Sequence, residues 1–155
     1  MPSIHSTPRL QSWQEVKAPQ SLGYRIKLLS QLLGRRFQDQ LEPYGLTTFH
    51  WVVLCCLWEQ DGLSTSALGE QLRQVGGTLT GVIDRMEERG LVRRERDSSD
   101  RRVWRIWLTD TGRQLEDVLP DLALELRKQV LQGFTEAEQR LFSDWVDRAI
   151  LNLTE

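Results

Sequence analysis

GLVRRERDSSDRRVWRIWLTDTG, Gly90 to Gly112, decides how this chain is read. Leu91 and Val92 open an extended stretch carrying Arg93, Arg94, Glu95 and Arg96. DSSD, Asp97 to Asp100, is turn chemistry. After it Trp104, Ile106 and Leu108 alternate with Val103, Arg105 and Trp107, the period of a strand. The stretch is therefore a β-hairpin with a polar tip. Its six arginines, Arg93, Arg94, Arg96, Arg101, Arg102 and Arg105, face only Glu95, Asp97 and Asp100, although the whole chain carries a formal net charge of -2. Charge gathered on one hairpin of an acidic chain points to an acidic partner, and phosphate is the first to consider.

Working outward, the spacing predicts helices on both sides. Leu22, Ile26, Leu29, Leu33, Phe37 and Leu41 step by three or four and mark a first helix, which Pro43 and Gly45 break. A second helix runs from about Thr48 to Glu59; it is apolar on every side, so it should be largely buried. Ser64 or Thr65 caps a short third helix through Leu72. VGG, Val75 to Gly77, punctuates. Leu79, Val82, Ile83 and Met86 then give a fourth helix, roughly Thr78 to Arg89, with Gly90 as its C-terminal cap. Beyond the hairpin, Thr109 caps a long fifth helix with Leu115, Val118, Leu122, Leu126 and Val130 as its stripe. Pro120 is expected to kink it, and Gly133 ends it. TEAE, Thr135 to Glu138, has the form of a capping box and opens a sixth helix.

The fold class is mainly α (α+β). The middle of the chain is a helix-turn-helix followed by a hairpin: a winged helix-turn-helix, with the wing from Leu91 to Leu108. In such a unit the second helix of the pair enters the major groove of DNA. The flanking helices carry apolar stripes that so small a unit cannot cover. Their simplest use is to pack against each other and a second copy, giving a two-fold homodimer. Trp145 is expected in that dimer core.

Length and composition agree with one domain over residues 1–155, with 39% hydrophobic and 27% charged residues. Residues 1–45 and 110–155 are assigned to dimerisation, and residues 46–109 to the DNA-binding lobe. The longest apolar run, Trp51 to Trp58, is far short of a membrane span. No secretion signal is evident, so a cytoplasmic protein is expected. An enzyme is not: His5 and His50 are the only histidines, and no nucleophile–base or metal-ligand set is apparent. No cofactor is implied. Asp97 and Asp100 read as turn formers and arginine partners rather than metal ligands. The adjacent Cys55 and Cys56 lie in an apolar run, which favours inert packing over a thiol sensor.

From about Leu22 to Leu153 the sequence resembles the MarR family of bacterial transcriptional regulators. Gly90, Leu91 and Val92, then Asp100 and Arg102, then Leu108, Thr109 and Gly112 carry the resemblance, together with IDRMEERG, Ile83 to Gly90. It implies a sequence-specific regulator, expected to be a repressor relieved by a small ligand or by oxidation, acting as a homodimer on a pseudo-palindromic duplex operator. By position it implies that Arg101 and Arg102 reach the minor groove and phosphates. Thr78 and Thr80 lie where bases and phosphates are met, either being the base reader. Ser64, Thr65, Arg73 and Gln74 lie where backbone contacts are expected. Asp84 and Asp100 support the wing, and in some members the residue at Asp84 pairs with the arginine at Arg102. A crevice for small aromatic or anionic ligands falls near His50 and Trp51, a packed or surface role being the alternative for His50.

The chain departs from the family in having glycine at Gly77 and Gly81, so base preference is not carried over. The urate-responsive branch has tryptophans comparable to Trp13 and Trp51 but an acidic residue where this chain has Val52, so urate sensing is not supported. Peroxide sensors place their cysteine in the first long helix, unlike Cys55 and Cys56. Trp107 either packs on the body of the wing or lies near DNA. The rival function is a winged-helix protein-interaction adaptor without DNA binding; salt-dependent binding to duplex separates the two.

Overall fold

The computed structural model describes residues 15–73 and 77–154. Helix α1 spans Leu22–Leu41, opened by Ser21, whose Oγ accepts the Tyr24 N–H at 3.2 Å. A 3-10 turn at Glu42–Tyr44 takes up Pro43, and Gly45, at φ 64°, reverses the chain. Helix α2 (Thr48–Glu59) follows, then a two-residue strand β1 (Leu63–Ser64) and helix α3 (Thr65–Leu72). Helix α4 (Gly77–Glu88) leads into strands β2 (Val92–Arg96) and β3 (Trp104–Leu108). Of the two candidates for the α3 cap, Ser64 does the work, its Oγ accepting the Ala67 N–H at 3.1 Å.

The sheet is antiparallel in the order β1-β3-β2, with Leu63 opposite Ile106, Val92 opposite Leu108 and Arg94 opposite Ile106. Its inner face meets the apolar stripes of the helices. Val53, Leu54, Leu57, Leu68, Ile83, Met86 and Ile106 are all wholly buried. Each such side chain contributes about 1.5–3 kcal/mol in transfer from water. The core therefore sits between α2, α3, α4 and the hairpin.

The two ends of the hairpin are stitched together. Thr109 donates its Oγ1–H to the Gly90 carbonyl at 2.6 Å and its N–H to the Leu91 carbonyl at 3.1 Å. Its hydroxyl also accepts the Gly112 N–H, capping helix α5 (Asp110–Gln114). A Cβ on Gly112 would sit 2.2 Å from the Leu91 carbonyl oxygen, so only glycine fits that approach. Trp58 donates from Nε1 to the Gly112 carbonyl at 2.9 Å.

The long kinked fifth helix expected from the sequence is instead two. A 3-10 turn at Leu115–Asp117 follows α5, and Val118 leaves helical geometry at φ -122°, ψ -50°. Helix α6 (Leu119–Val130) starts afresh. Pro120 is its second residue, where its missing N–H would have had no helical partner anyway. The proline marks a start, not a bend.

The chain divides into two compact units between Leu119 and Pro120. In the second unit, helix α7 (Glu136–Asn152) opens with the capping box read from the sequence: the Glu138 N–H donates to Thr135 Oγ1, and the Thr135 N–H to the Glu138 carboxylate. Phe134 stacks edge-on to Phe142 with centroids 6.0 Å apart. With Leu141 and Trp145 they line an open pocket of about 360 Å³. No described residue from Pro120 onward is buried. No helix among the described residues is long and apolar enough to cross a membrane.

Candidate nucleic-acid interface

Helix α4 turns Leu79, Ile83 and Met86 inward, which leaves Thr78 and Thr80 exposed near its N-terminus. The helix is strapped to the wing by Arg94. The Arg94 guanidinium is bonded to the Asp84 carboxylate and lies 3.8 Å from that of Glu87. The backbone N–H of Arg94 donates to Glu87 Oε2 at 3.0 Å, and its Nη2 reaches the Thr80 carbonyl at 3.5 Å. One strand residue thus contacts three positions of α4, tying the wing to the helix. Here the structure corrects an expectation. Asp84 does not pair with Arg102; it pairs with Arg94, which is nearer in the folded hairpin.

The wing tip is built on two carboxylates. Asp97 Oδ1 accepts the N–H groups of Ser99 and Asp100 at 2.8 and 2.9 Å, while its other oxygen takes Arg105. The Arg105 hydrogen bond first, then the two backbone donors, hold the Asp97 pKa down at about 2. Asp100 takes Arg102 in a two-pronged pair, Nε to Oδ1 at 3.0 Å and Nη2 to Oδ2 at 3.1 Å. That pair lowers the Asp100 pKa and raises that of Arg102. Arg102 nevertheless stays 90% exposed, so the pair orients the guanidinium without hiding it. Arg101 is exposed beside it. Both carboxylates are thus occupied by arginine and backbone, and the described residues hold no cluster of His, Cys, Asp and Glu arranged for a metal.

Behind the wing, Arg105 donates from Nη1 to the Gly62 carbonyl at 2.9 Å. Asp61 accepts the Leu108 N–H at 2.8 Å and pairs with Arg113 at 2.9 Å. The Trp107 ring lies over Gly62, where any Cβ would stand 2.4 Å from it. Trp107 thus packs on the body of the wing.

The other positions singled out in the sequence are placed as follows. Thr65 is the first residue of α3, and Ser64 spends its hydroxyl on the cap. Arg73 ends α3, exposed, in the left-handed region at φ 50°. Gln74 lies outside the described residues. His50 is 4% exposed and closes the α2 capping box: its Nδ1 accepts the Thr47 N–H at 3.1 Å, and its own N–H donates to Thr47 Oγ1 at 3.2 Å. Burial first, then the charges of Arg89 and Arg85, hold its pKa below the ordinary value. Trp51 stacks edge-on to Phe37 and Trp58. Burial and the neighbouring Cys56 push the Cys55 thiol up to about 11, and burial, then Glu59, raises Cys56. At neutral pH both are thiols rather than reactive thiolates.

Sequence reasoning read Asp97 as a turn former with an arginine partner, and the structure names that partner as Arg105; it did not single out Arg94, paired with Asp84 and Glu87, as the strap. Both follow from hairpin register, which Leu91, Val92 and the alternation after Val103 nearly fixed.

A family model described as the MarR family matches residues 46–104. The chain is 39% identical to the transcriptional regulator TtmR of Methylorubrum extorquens, over 79% of this chain and 70% of the relative. It superposes on the crystal structure of a MarR transcriptional regulator from Methanosarcina mazei with a TM-score of 0.78 at 27% identity, covering 84% of this chain and 94% of that one. It superposes on reduced AbfR bound to DNA with a TM-score of 0.74 at 25% identity, covering 96% and 99%.

Proposed function

Because the chain belongs to the MarR family, we propose that it is a transcriptional regulator that binds duplex DNA as a homodimer. It acts in the cytoplasm as a repressor on a pseudo-palindromic operator. Helix α4 enters the major groove, with Thr78 or Thr80 at the bases. The wing tip brings Arg101 and Arg102 to the flanking minor groove and phosphates. Ser64, Thr65, Arg73 and Gln74 lie toward the backbone, where phosphate contacts set register rather than sequence.

The observation that carries this reading is the Arg94 strap. With Asp84 and Glu87 bonded to Arg94, the exposed threonines of α4 and the wing arginines hold a fixed separation. Two probes at fixed separation suit adjacent grooves. The relative solved as reduced AbfR bound to DNA supports the same use of the fold.

The second copy covers the apolar side chains that this chain leaves in water, among them Leu22, Ile26 and Leu32 on α1 and Trp145 and Ile150 on α7. Release comes from a small aromatic or anionic ligand near His50 and Trp51. Oxidation is the weaker trigger, because the raised pKa values of Cys55 and Cys56 leave little thiolate to oxidise. The test is a mobility shift at matched salt. Arg102→Ala weakens binding to all sequences, and Thr78→Ala or Thr80→Ala changes preference among sequences. Wild-type binding by Arg102→Ala would remove the wing from the mechanism.

A further inference from the structure

Four of the six wing arginines already have carboxylate partners: Arg93 with Glu95, Arg94 with Asp84 and Glu87, Arg102 with Asp100, and Arg105 with Asp97. Arg96 and Arg101 have none among the described residues. Arg101 is at the tip. Arg96 is at the end of β2, directly across from Trp104, and its guanidinium lies 3.7 Å above the Trp104 ring. We propose that Arg96 is a further DNA-contacting residue, aimed at a phosphate by Trp104, which acts as its positioning residue. The inference rests on the DNA-binding reading above.

Three observations support it. Side chains alternate along a strand, so Arg96 shares a sheet face with Arg94. Arg94 reaches α4, so Arg96 stands on the helix side of the wing, one step nearer the tip. Second, the guanidinium stacks through its flat face, while its N–H donors point outward in its plane. The ring therefore fixes the side chain and leaves most of its donors free; only a long 3.5 Å contact joins Nη1 to the Arg102 carbonyl. Third, Trp104 is 38% exposed. It lies on the face that buries Ile106 and Leu108, beyond the point where the body of the lobe covers it. A large ring left part-exposed in that place supplies a platform for a cation.

The test is the salt dependence of affinity for a mixed-sequence duplex, which needs no knowledge of the operator. Each phosphate contact adds about 0.9 to the slope of log affinity against log salt. The full-length Arg96→Gln protein is expected to lose about that much for each protomer's contact. Trp104→Ala keeps the charge but loses its aim, so affinity falls about 2- to 5-fold, the equivalent of an exposed cation–π contact. Trp104→Phe restores most of it, which a purely structural tryptophan would not require. Thermal unfolding of each variant checks the fold, and Arg96→Gln, with no buried group removed, stands even if Trp104→Ala is unstable. Wild-type slope and affinity in Arg96→Gln, with Arg102→Ala still impaired, would overturn this inference and leave the DNA-binding reading intact. Absence of salt-dependent binding by the unmutated protein would overturn both.

Discussion

The central lobe and the C-terminal helices are both rich in leucine and aromatic residues, yet they treat them oppositely. In the lobe Leu54, Leu57, Ile83 and Ile106 have no exposure, whereas on α7 Leu141, Trp145 and Ile150 are 46%, 58% and 46% exposed. The lobe closes its core with its own chain and directs its polar groups into defined pairs. The terminal unit leaves an apolar face that water disfavours and a second copy would cover. Stability of the lobe is thus a property of one chain, and that of α7 a property of the assembly.

The largest expected effect is in the lobe. Ile106→Ala should cost about 2–5 kcal/mol, and the loss should be the same at every protein concentration. Trp145→Asp should instead weaken dimerisation by about 2 kcal/mol, roughly 30-fold, with sedimentation over a dilution series showing the dimer dissociation constant raised by that factor and little change in the lobe. A Trp145→Asp protein with an unchanged dimer dissociation constant would break the contrast. Arg94→Ala should cost about 1 kcal/mol, since the strap is partly screened by water. Its larger signature is DNA affinity lowered on all sequences, because wing and α4 lose their fixed spacing.

The smallest effect separates the two capping boxes by pH. His50 has its pKa lowered in the fold, so the folded lobe binds fewer protons than the unfolded chain. Its contribution is complete above the ordinary value of 6.5 and is lost as pH falls below it. Glu138 also has its pKa lowered, by the Thr135 N–H and then the Thr135 hydroxyl, from an ordinary 4.5. Its cap therefore survives until pH falls through the carboxylate range. Between pH 7.5 and 5.5 the melting temperature of the lobe should drop. His50→Gln, which keeps an acceptor at that position of the box, should drop less. An equal drop in both proteins would remove His50 as the cause.

Helix periods and caps were legible in the sequence because they are local. Leu22 to Leu41, Thr48 to Glu59 and the Thr135–Glu138 box depend on neighbours within four residues. The hairpin was legible because DSSD is turn chemistry between two stretches of strand period, with Val92 and Leu108 paired on the inner face. What failed was long-range or positional. Pro120 reads as a kink if the helix is assumed continuous, and as a start once Val118 breaks it. Asp84 was matched to Arg102 through the resemblance, but the register puts Arg94 opposite Ile106 and beside α4. Trp107 over Gly62 joins residues 45 apart in sequence, beyond any periodicity. Of the proposed contact residues the fold leaves Arg73, Thr78, Thr80, Arg101 and Arg102 exposed, and the step from that surface to function is the binding of DNA.

Selection of bound duplexes from a random pool tests that step most directly. The expected result is enrichment of a pseudo-palindrome with half-sites about one helical turn, roughly 10 base pairs, apart, held by binding that weakens steeply with salt. No enrichment, with no salt-dependent binding to any duplex, would contradict a DNA-binding role for α4 and the wing.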